Sequence, residues 1–416
     1  MRTRLITTTV ALTAAGALAL AGCSSSTSGG GNGGGNGGGN GGLGGGSSSS
    51  SSGGGSTTSG GTYTIGFEGP LSGANAQLGI NEDDGAKLAV AQANASNKFG
   101  FKVKLVNQDD QGDPAKSPTA ANALVGNPGV LGVIGPSFSG STLAVGKIYS
   151  SADLAFITPS ATNATLQSQG FKTFHRIVPN DNVEGTQGAD WMKRKGVKKL
   201  FVLQDESAYG KGVGDTVAQE AKKDGIKVTE QGINGTTTTN YGPIAQTIAN
   251  SGSDAVFYGG YDAQAALLAK ALQSDGFKGI AVGGNGIKST VFTKNAGAAG
   301  NGWYITCGCE DATVAPDAKA FNAAYQKMFG TPSSTYSPEA YDATNALLTA
   351  IKAAAANGTP TRSSVETAVN ALDYKGIATT VKFQSNGEVD SSVATVNLYT
   401  VKNGNIVEVG NIKQQS

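Results

Sequence analysis

Hydroxyl groups cluster directly after two apolar runs in this 416-residue sequence. Gly135-Pro136-Ser137-Phe138-Ser139-Gly140-Ser141-Thr142 joins an apolar run to a segment of helical spacing. Its hydroxyls therefore gather where a helix begins, and the free N–H groups and positive dipole end there favour an anion such as a carboxylate. Ser137 by itself reads as an N-cap. A second run, Thr158-Pro159-Ser160-Ala161-Thr162-Asn163, follows the next apolar run. It can serve the same anion or be an ordinary Ser/Thr turn. Tyr209 and Tyr261 each follow a further apolar run. Such tyrosines can offer a ligand flat apolar area and a hydroxyl, or simply pack within the protein.

Other chemistries are excluded by what is scarce. The sequence has one histidine, His175, so a multi-histidine metal site cannot form and any His-dependent triad must use this residue. It lies in Thr173-Phe174-His175-Arg176, a strand-like run, and reads as structural. Gly-x-Ser-x-Gly does not occur at 135–140, and Gly210-Lys211-Gly212-Val213-Gly214 lacks dinucleotide or P-loop spacing. No cofactor is expected. With 31 Lys and Arg against 30 Asp and Glu, no global basic field exists for nucleic acid. Of the three cysteines, Cys307 and Cys309 flank one glycine and are either bridged or two buried thiols.

Of the 416 residues, 63 are glycine, roughly twice the usual share of ~7%. Many fall in residues 24–61, a Gly/Ser/Asn/Thr stretch that cannot bury a core. Residues 1–22 read as a secretory leader: Arg2 and Arg4, an apolar run from Leu5 to Leu20, then small residues. Residues 24–61 would form a flexible coil whose end-to-end distance is about 30–37 Å; with Cys23 they make up the segment 23–61. The remaining 355-odd residues exceed a comfortable single core, so two lobes are expected.

From Thr62 onward, strand and helix patterns alternate. Strands are expected at 63–67, 101–106, 130–136, 154–159, 199–204, 227–230, 255–260 and 279–283. Helices are expected at 85–93, 118–124, 212–221, 244–249, 263–272, 315–328 and 339–355. Asn403-Gly404 marks a hairpin between 393–399 and 406–409. Apolar strands flanked by helices predict parallel sheets covered on both faces. Two such series predict two doubly wound α/β lobes with a central cleft, and in such sheets ligands bind at the carboxyl ends of strands.

The loops carry a resemblance. Gly69-Pro70-Leu71-Ser72-Gly73, Val133 to Thr142, Ile157 to Asn163, Tyr209-Gly210 and Tyr258-Gly259-Gly260-Tyr261 resemble the leucine/isoleucine/valine-binding proteins of ABC transporters. Leu20-Ala21-Gly22-Cys23 resembles a bacterial lipobox, which implies a lipid anchor on Cys23 and an extracytoplasmic body. The resemblance implies the type I periplasmic-binding-protein fold, with three crossovers and a hinged cleft. It places 62–180 and 310–388 in an N-terminal lobe and 181–309 and 389–416 in a C-terminal lobe. It implies a non-enzymatic, monomeric solute carrier that delivers an amino acid or analogue to an ABC permease; a ligand-sensing module is the alternative.

Carried over by position, Ser139 and Gly140 with Ser160, Ala161 and Thr162 would hold the ligand's carboxylate and part of its ammonium. Leu78 would form an apolar wall or an ordinary core contact, and Tyr209 and Tyr261 would face them from the second lobe. Asn285 stands where amino-acid binders of the family place an acid against the ammonium. A buried ammonium without counter-charge costs several kcal/mol. Either another carboxylate substitutes, with Glu310, Asp311, Asp262 and Asp205 in nearby loops, or the ligand is not an ordinary amino acid.

Overall fold

The computed structural model describes residues 60–416. The expected leader, Cys23 and nearly all of the tether lie outside the described residues. Among the described residues no helix is long and apolar enough to cross a membrane.

The first sheet grows from β1 (Thr62–Gly69), β2 (Lys102–Asp109), β3 (Val130–Ile134), β4 (Phe156–Thr158) and β5 (Phe174–Arg176), in the order β2-β1-β3-β4-β5 and parallel throughout. Its crossover helices are α1 (Ala76–Ser96), α2 (Ser117–Val125) and α3 (Ser139–Ser151). The chain then enters α4 (Asp181–Arg194), β6 (Lys199–Gln204), α5 (Ala208–Lys223), β7 (Lys227–Gly232), α6 (Gly242–Asn250), β8 (Ala255–Gly259), α7 (Asp262–Ser274), β9 (Ile280–Gly283), α8 (Thr290–Ala296) and β10 (Tyr304–Cys307). It continues through α9 (Lys319–Phe329), α10 (Ser337–Ala355) and α11 (Arg362–Asn370), the small hairpin β11 (Asp373–Lys375) and β12 (Thr380–Lys382), and ends in β13 (Asn397–Lys402) and β14 (Asn405–Asn411).

The second sheet has seven strands in the order β14-β13-β10-β9-β8-β6-β7, with β13 and β14 antiparallel at one edge. Long helix α10 packs on α1 beside the first sheet, whereas β13 and β14 pair in the second. The chain therefore passes between sheets after β5, after β10 and after β12. Arg176 in β5 bridges to Glu388 close to the last passage. Strand β3 and its neighbours are apolar and buried on both faces, as a sheet sandwiched by helices requires. Leu347, Leu348 and Ile351 of α10 join Ile65, Phe67 and Ile134 in that core.

Two glycines answer real constraints. Gly135 ends β3 at φ +113°, and a Cβ there would lie 2.2 Å from the Glu68 carbonyl. Gly85 lets α1 approach α10 so closely that a Cβ would sit 2.2 Å from the Ser337 carbonyl.

Departures from the pattern reading have local causes. Helix α1 starts at Ala76, well before 85, because Asn81, Glu82 and Asp83 are buried although their composition reads as solvated. Helix α9 begins at Lys319, after a short 3₁₀ turn at Pro316–Ala318. The hairpin turns at Asn403-Gly404, but β13 begins at Asn397 because Asp390 accepts from the Ser392 N–H and winds the preceding residues into a turn. Helices α4 and α11 and the β11-β12 hairpin had no clear periodic signal.

Candidate functional site

The carboxyl ends of the two sheets meet across a narrow space. Leu78, Ser137, Phe138, Ser139 and Ser160 line it together with Tyr209, Tyr261, Asn285, Gly286 and Tyr336. It measures about 10 Å³, little more than room for one water. Phe138, at the N-cap of α3, stacks on Tyr261, at the N-cap of α7, with ring centroids 4.5 Å apart. Both rings also border a wider cleft of about 820 Å³, lined by Gly140 and Leu143 on one side and Asp205, Ser207 and Gln264 on the other. The stacked pair thus stands between an inner and an outer compartment.

The first sheet supplies hydroxyls. Ser139 is the first residue of α3, and its Oγ accepts from the Asn163 N–H at 3.1 Å. Ser137 is not a cap: Phe138 holds that position, and Ser137 Oγ donates to Glu82 Oε2 at 2.7 Å. Ser160 Oγ donates to the Ser137 carbonyl at 2.6 Å. Ala161 lies beneath the surface, its N–H donating to Thr158 Oγ1 and its carbonyl accepting from Arg176. Thr162 is buried, with Oγ1 lacking any partner. Arg176 fixes this whole loop, bonding the carbonyls of Ala161 and Asn163 at 2.9 and 2.8 Å while pairing with Glu388.

The second sheet supplies aromatics and an amide. Tyr209 Oη accepts from the Gly286 N–H at 2.9 Å, and its ring centroid lies 5.3 Å from that of Tyr261. Burial pushes the Tyr209 hydroxyl well above its ordinary pKa, so it stays protonated. Leu78 is both wall and core: it lines the space and packs in the cluster that contains Phe138 and Tyr336.

Asn285 Nδ2 donates to Glu184 Oε2 at 2.7 Å, and its backbone N–H to Glu184 Oε1 at 3.0 Å. Thr306 Oγ1 donates to the same carboxylate at 2.8 Å. One turn earlier on α4, Asp181 is fully buried and neither of its carboxylate oxygens has a partner. Burial, then the charge of Glu184, push it up to about 8. These two acids, not the four considered from the sequence, adjoin Asn285 and Thr162. Asp205 borders the outer cleft, Asp262 is the first residue of α7 and accepts from the Ala263 N–H, and Glu310 and Asp311 line a separate cavity with Lys288.

Six of the nine ligand positions carried over from the resemblance, Leu78, Ser139, Ser160, Tyr209, Tyr261 and Asn285, converge on the inner space; Gly140 borders the outer one, and Ala161 and Thr162 support from behind. Phe138, Tyr336, Glu82, Asp181 and Glu184 were missed. Acids in the first turn of a helix normally face water and the helix dipole, so Asp181 and Glu184 carry no signal of burial. Tyr336 sits at φ +67°, before α10, in a run of Ser and Thr that reads as a loop. Cys307 and Cys309 are joined by a disulfide at the end of β10, where the Cys309 carbonyl accepts from Tyr399 Oη.

Two mostly parallel sheets linked by three passages, with a narrow space at their carboxyl ends lined from both sides, define a two-lobed binding protein of the type I periplasmic kind. The chain belongs to the periplasmic binding protein family, whose model matches residues 62–405. It is 30% identical to Leu/Ile/Val-binding protein homolog 3 of Brucella melitensis over 324 residues, 75% of this chain and 86% of that one. The branched-chain amino acid transporter substrate binding protein LivJ of Streptococcus pneumoniae, solved in complex with isoleucine, superposes with a TM-score of 0.76 at 24% identity, covering 83% of this chain and 99% of the other. A solute binding protein of an ABC transporter from Rhodopseudomonas palustris, solved with benzoate, superposes with a TM-score of 0.75 at 19% identity over 84% of this chain and 96% of that one.

Proposed function

We propose that this protein is the extracytoplasmic solute-binding component of an ABC importer, and that it carries a branched-chain amino acid or a closely related carboxylate or amide. The convergence on one space of hydroxyls from one sheet with aromatics and an amide from the other carries the reading. The ligand's carboxylate rests at the N-terminus of α3, against the Ser139 hydroxyl and the free N–H groups of the first turn. Ser160 and the unpartnered Thr162 Oγ1 border the same end. Leu78, Phe138 and Tyr336 form the apolar wall for the side chain.

The ammonium end is met by Asn285. Its Nδ2 is committed to Glu184, which leaves Oδ1 as the acceptor it offers a ligand. Negative charge comes from Glu184 behind the amide, so the counter-charge absent from position 285 is supplied from α4, while Asp181 beside Thr162 is kept neutral near pH 7 by burial. Entry requires the lobes, 62–180 with 310–388 and 181–309 with 389–416, to separate, since an amino acid is far larger than the space present. Closure about the three interlobe passages then buries the ligand. We assign no catalytic step; Glu184 and the serines are read as binding groups.

The body is proposed to be a monomer, tethered by residues 24–61 to a lipid anchor on Cys23 and docking on a permease. Acyl chains contribute about 0.8 kcal/mol per buried methylene, enough for stable attachment when several are present. The amide at Asn285 favours a second reading, a carboxylate without an ammonium. Native mass spectrometry of the small molecule that co-purifies with the protein separates the two. Leucine, isoleucine or valine supports the first, and an acid lacking an amine supports the second.

A further inference from the structure

Three buried carboxyl groups, Glu68, Glu82 and Asp110, lie in the first lobe just beneath the hydroxyls of the site. Glu68 is taken by the Tyr149 hydroxyl and Asp110 by the Gly112 N–H and Ser117. Glu82 alone reaches the ligand space, through Ser137 and Ser160, both of which line it. Resting on the amino acid reading above, we propose that Glu82 is a positioning residue for the ligand's carboxylate: it orients the Ser137 and Ser160 hydroxyls, and it must be uncharged to do so.

Ser137 donates its hydroxyl proton to Glu82 Oε2, and Ser160 donates its own to the Ser137 carbonyl, so the carboxyl holds the first serine directly and the second through it. Glu82 Oε1 is fully buried and accepts from no donor. An ionised carboxyl would leave charge on that oxygen away from water and put a negative charge behind the place where the ligand's carboxylate must sit. A neutral carboxyl avoids both while Oε2 still holds the Ser137 hydroxyl.

The surroundings favour the neutral form. Around Glu82 stand Asp110 at the end of β2 and Tyr336 from the start of α10, with Asp83 and Asp84 on its own helix. The nearest lysine along that helix, Lys87, is engaged by Asp83 and Asp84 at 2.6 and 3.5 Å. β1 contributes only Glu68, already bonded to Tyr149. Burial pushes Glu82 up to about 8, with the two serines opposing and Asp110 adding to the rise. A carboxyl in that position is neutral at pH 6.5 and loses its proton in mildly alkaline solution.

The test is isoleucine affinity from pH 6 to pH 9 for the wild type, Glu82→Gln and Glu82→Ala, with melting temperatures recorded alongside. Glutamine mimics the neutral acid and cannot ionise. The expected result is a wild-type affinity that weakens about tenfold between pH 7 and 9, a Glu82→Gln affinity that stays level and within about threefold of the wild-type value at pH 6.5, and weak binding by Glu82→Ala at every pH. Parallel wild-type and Glu82→Gln profiles, or a folded Glu82→Gln protein that binds weakly throughout, would overturn the proposal. A wild type that binds no isoleucine at any pH defeats the amino acid reading. Infrared difference spectra of the ligand-free proteins then decide for Glu82: loss of a protonated-carboxyl band in Glu82→Gln supports it, and identical spectra overturn it.

Discussion

The Asn285 side chain rests on Glu184, donating from Nδ2 at 2.7 Å while the backbone N–H of the same residue donates to the other carboxylate oxygen at 3.0 Å. An amide at this position is therefore not a lost charge. The charge stands one side chain further back, fully buried on the first turn of α4 and bonded also to Thr306. Burial pushes Glu184 up, and the Asn285 amide, the Asn285 N–H and the Thr306 hydroxyl oppose that rise by donating to its carboxylate, as a charge withheld from water requires.

Glu184→Gln is expected to weaken isoleucine binding by roughly tenfold or more, about 1.4 kcal/mol, by removing the charge behind Asn285. Asn285→Asp is expected to weaken it too, because a carboxylate there cannot donate to Glu184 and would face it as a like charge. Calorimetric titration of both variants checks this. An Asn285→Asp protein that binds isoleucine more tightly than the wild type would show that the amide is not serving as a bridge.

The Phe138–Tyr261 stack joins the lobes directly. Aromatic pairs are worth about 0.5–1.5 kcal/mol beyond their buried area, so Phe138→Ala should lower affinity about threefold to tenfold. It should also favour separated lobes in the ligand-free protein, which small-angle scattering would register as a larger radius of gyration. An unchanged radius and affinity would mean the stack contributes nothing to closure.

Arg176 is fully buried, with Glu388 as its counter-ion and the carbonyls of Ala161 and Asn163 and the Gln167 side-chain oxygen as its other partners. Glu388→Ala leaves that guanidinium unpaired, at a cost of about 3–5 kcal/mol. A fall in melting temperature of roughly 10 °C follows, and ligand affinity falls with it because the 160–163 loop loses its anchor. Calorimetric melting measures the first effect, and a fall of under about 2 °C would contradict it.

Stability should decline as the solution becomes alkaline. Burial raises Glu82 and Asp181 to about 8, Asp342 to about 7, and Asp205 and Asp262 to about 6. Each binds its proton more tightly folded than unfolded. The folded state therefore holds the excess of protons between the ordinary carboxylate range near 4 and these raised values. Stability is fully present below that window and is lost as pH rises through it. The ligand-free melting temperature should be higher at pH 5 than at pH 8.5, by several degrees or more. A melting temperature that rises between those values would contradict the burial of these acids.

Much of the architecture could be read from pattern. Strands buried on both faces, such as 130–134 and 255–259, announce themselves as continuous apolar runs, and the Asn403-Gly404 turn fixes the final hairpin. The convergent hydroxyls and tyrosines were legible because they lie in loops directly after those strands. What escaped was polar and buried. Glu82, Asp181 and Glu184 sit on helices where composition alone predicts solvent, and their burial is fixed only when β3, β10 and the crossover loops are folded around them. Asn285 illustrates the same limit: its type was plain, but the carboxylate that gives it meaning lies 101 positions away.

The most direct measurement is a pair of calorimetric titrations of the full chain at pH 6.5, one with L-isoleucine and one with benzoate. Saturable isoleucine binding at a Kd of about 10 µM or tighter, roughly −7 kcal/mol, lost in Ser139→Ala and weakened in Glu184→Gln, is the expected result. Benzoate binding with no isoleucine heat would contradict an amino acid site and assign the space to a carboxylate without an ammonium.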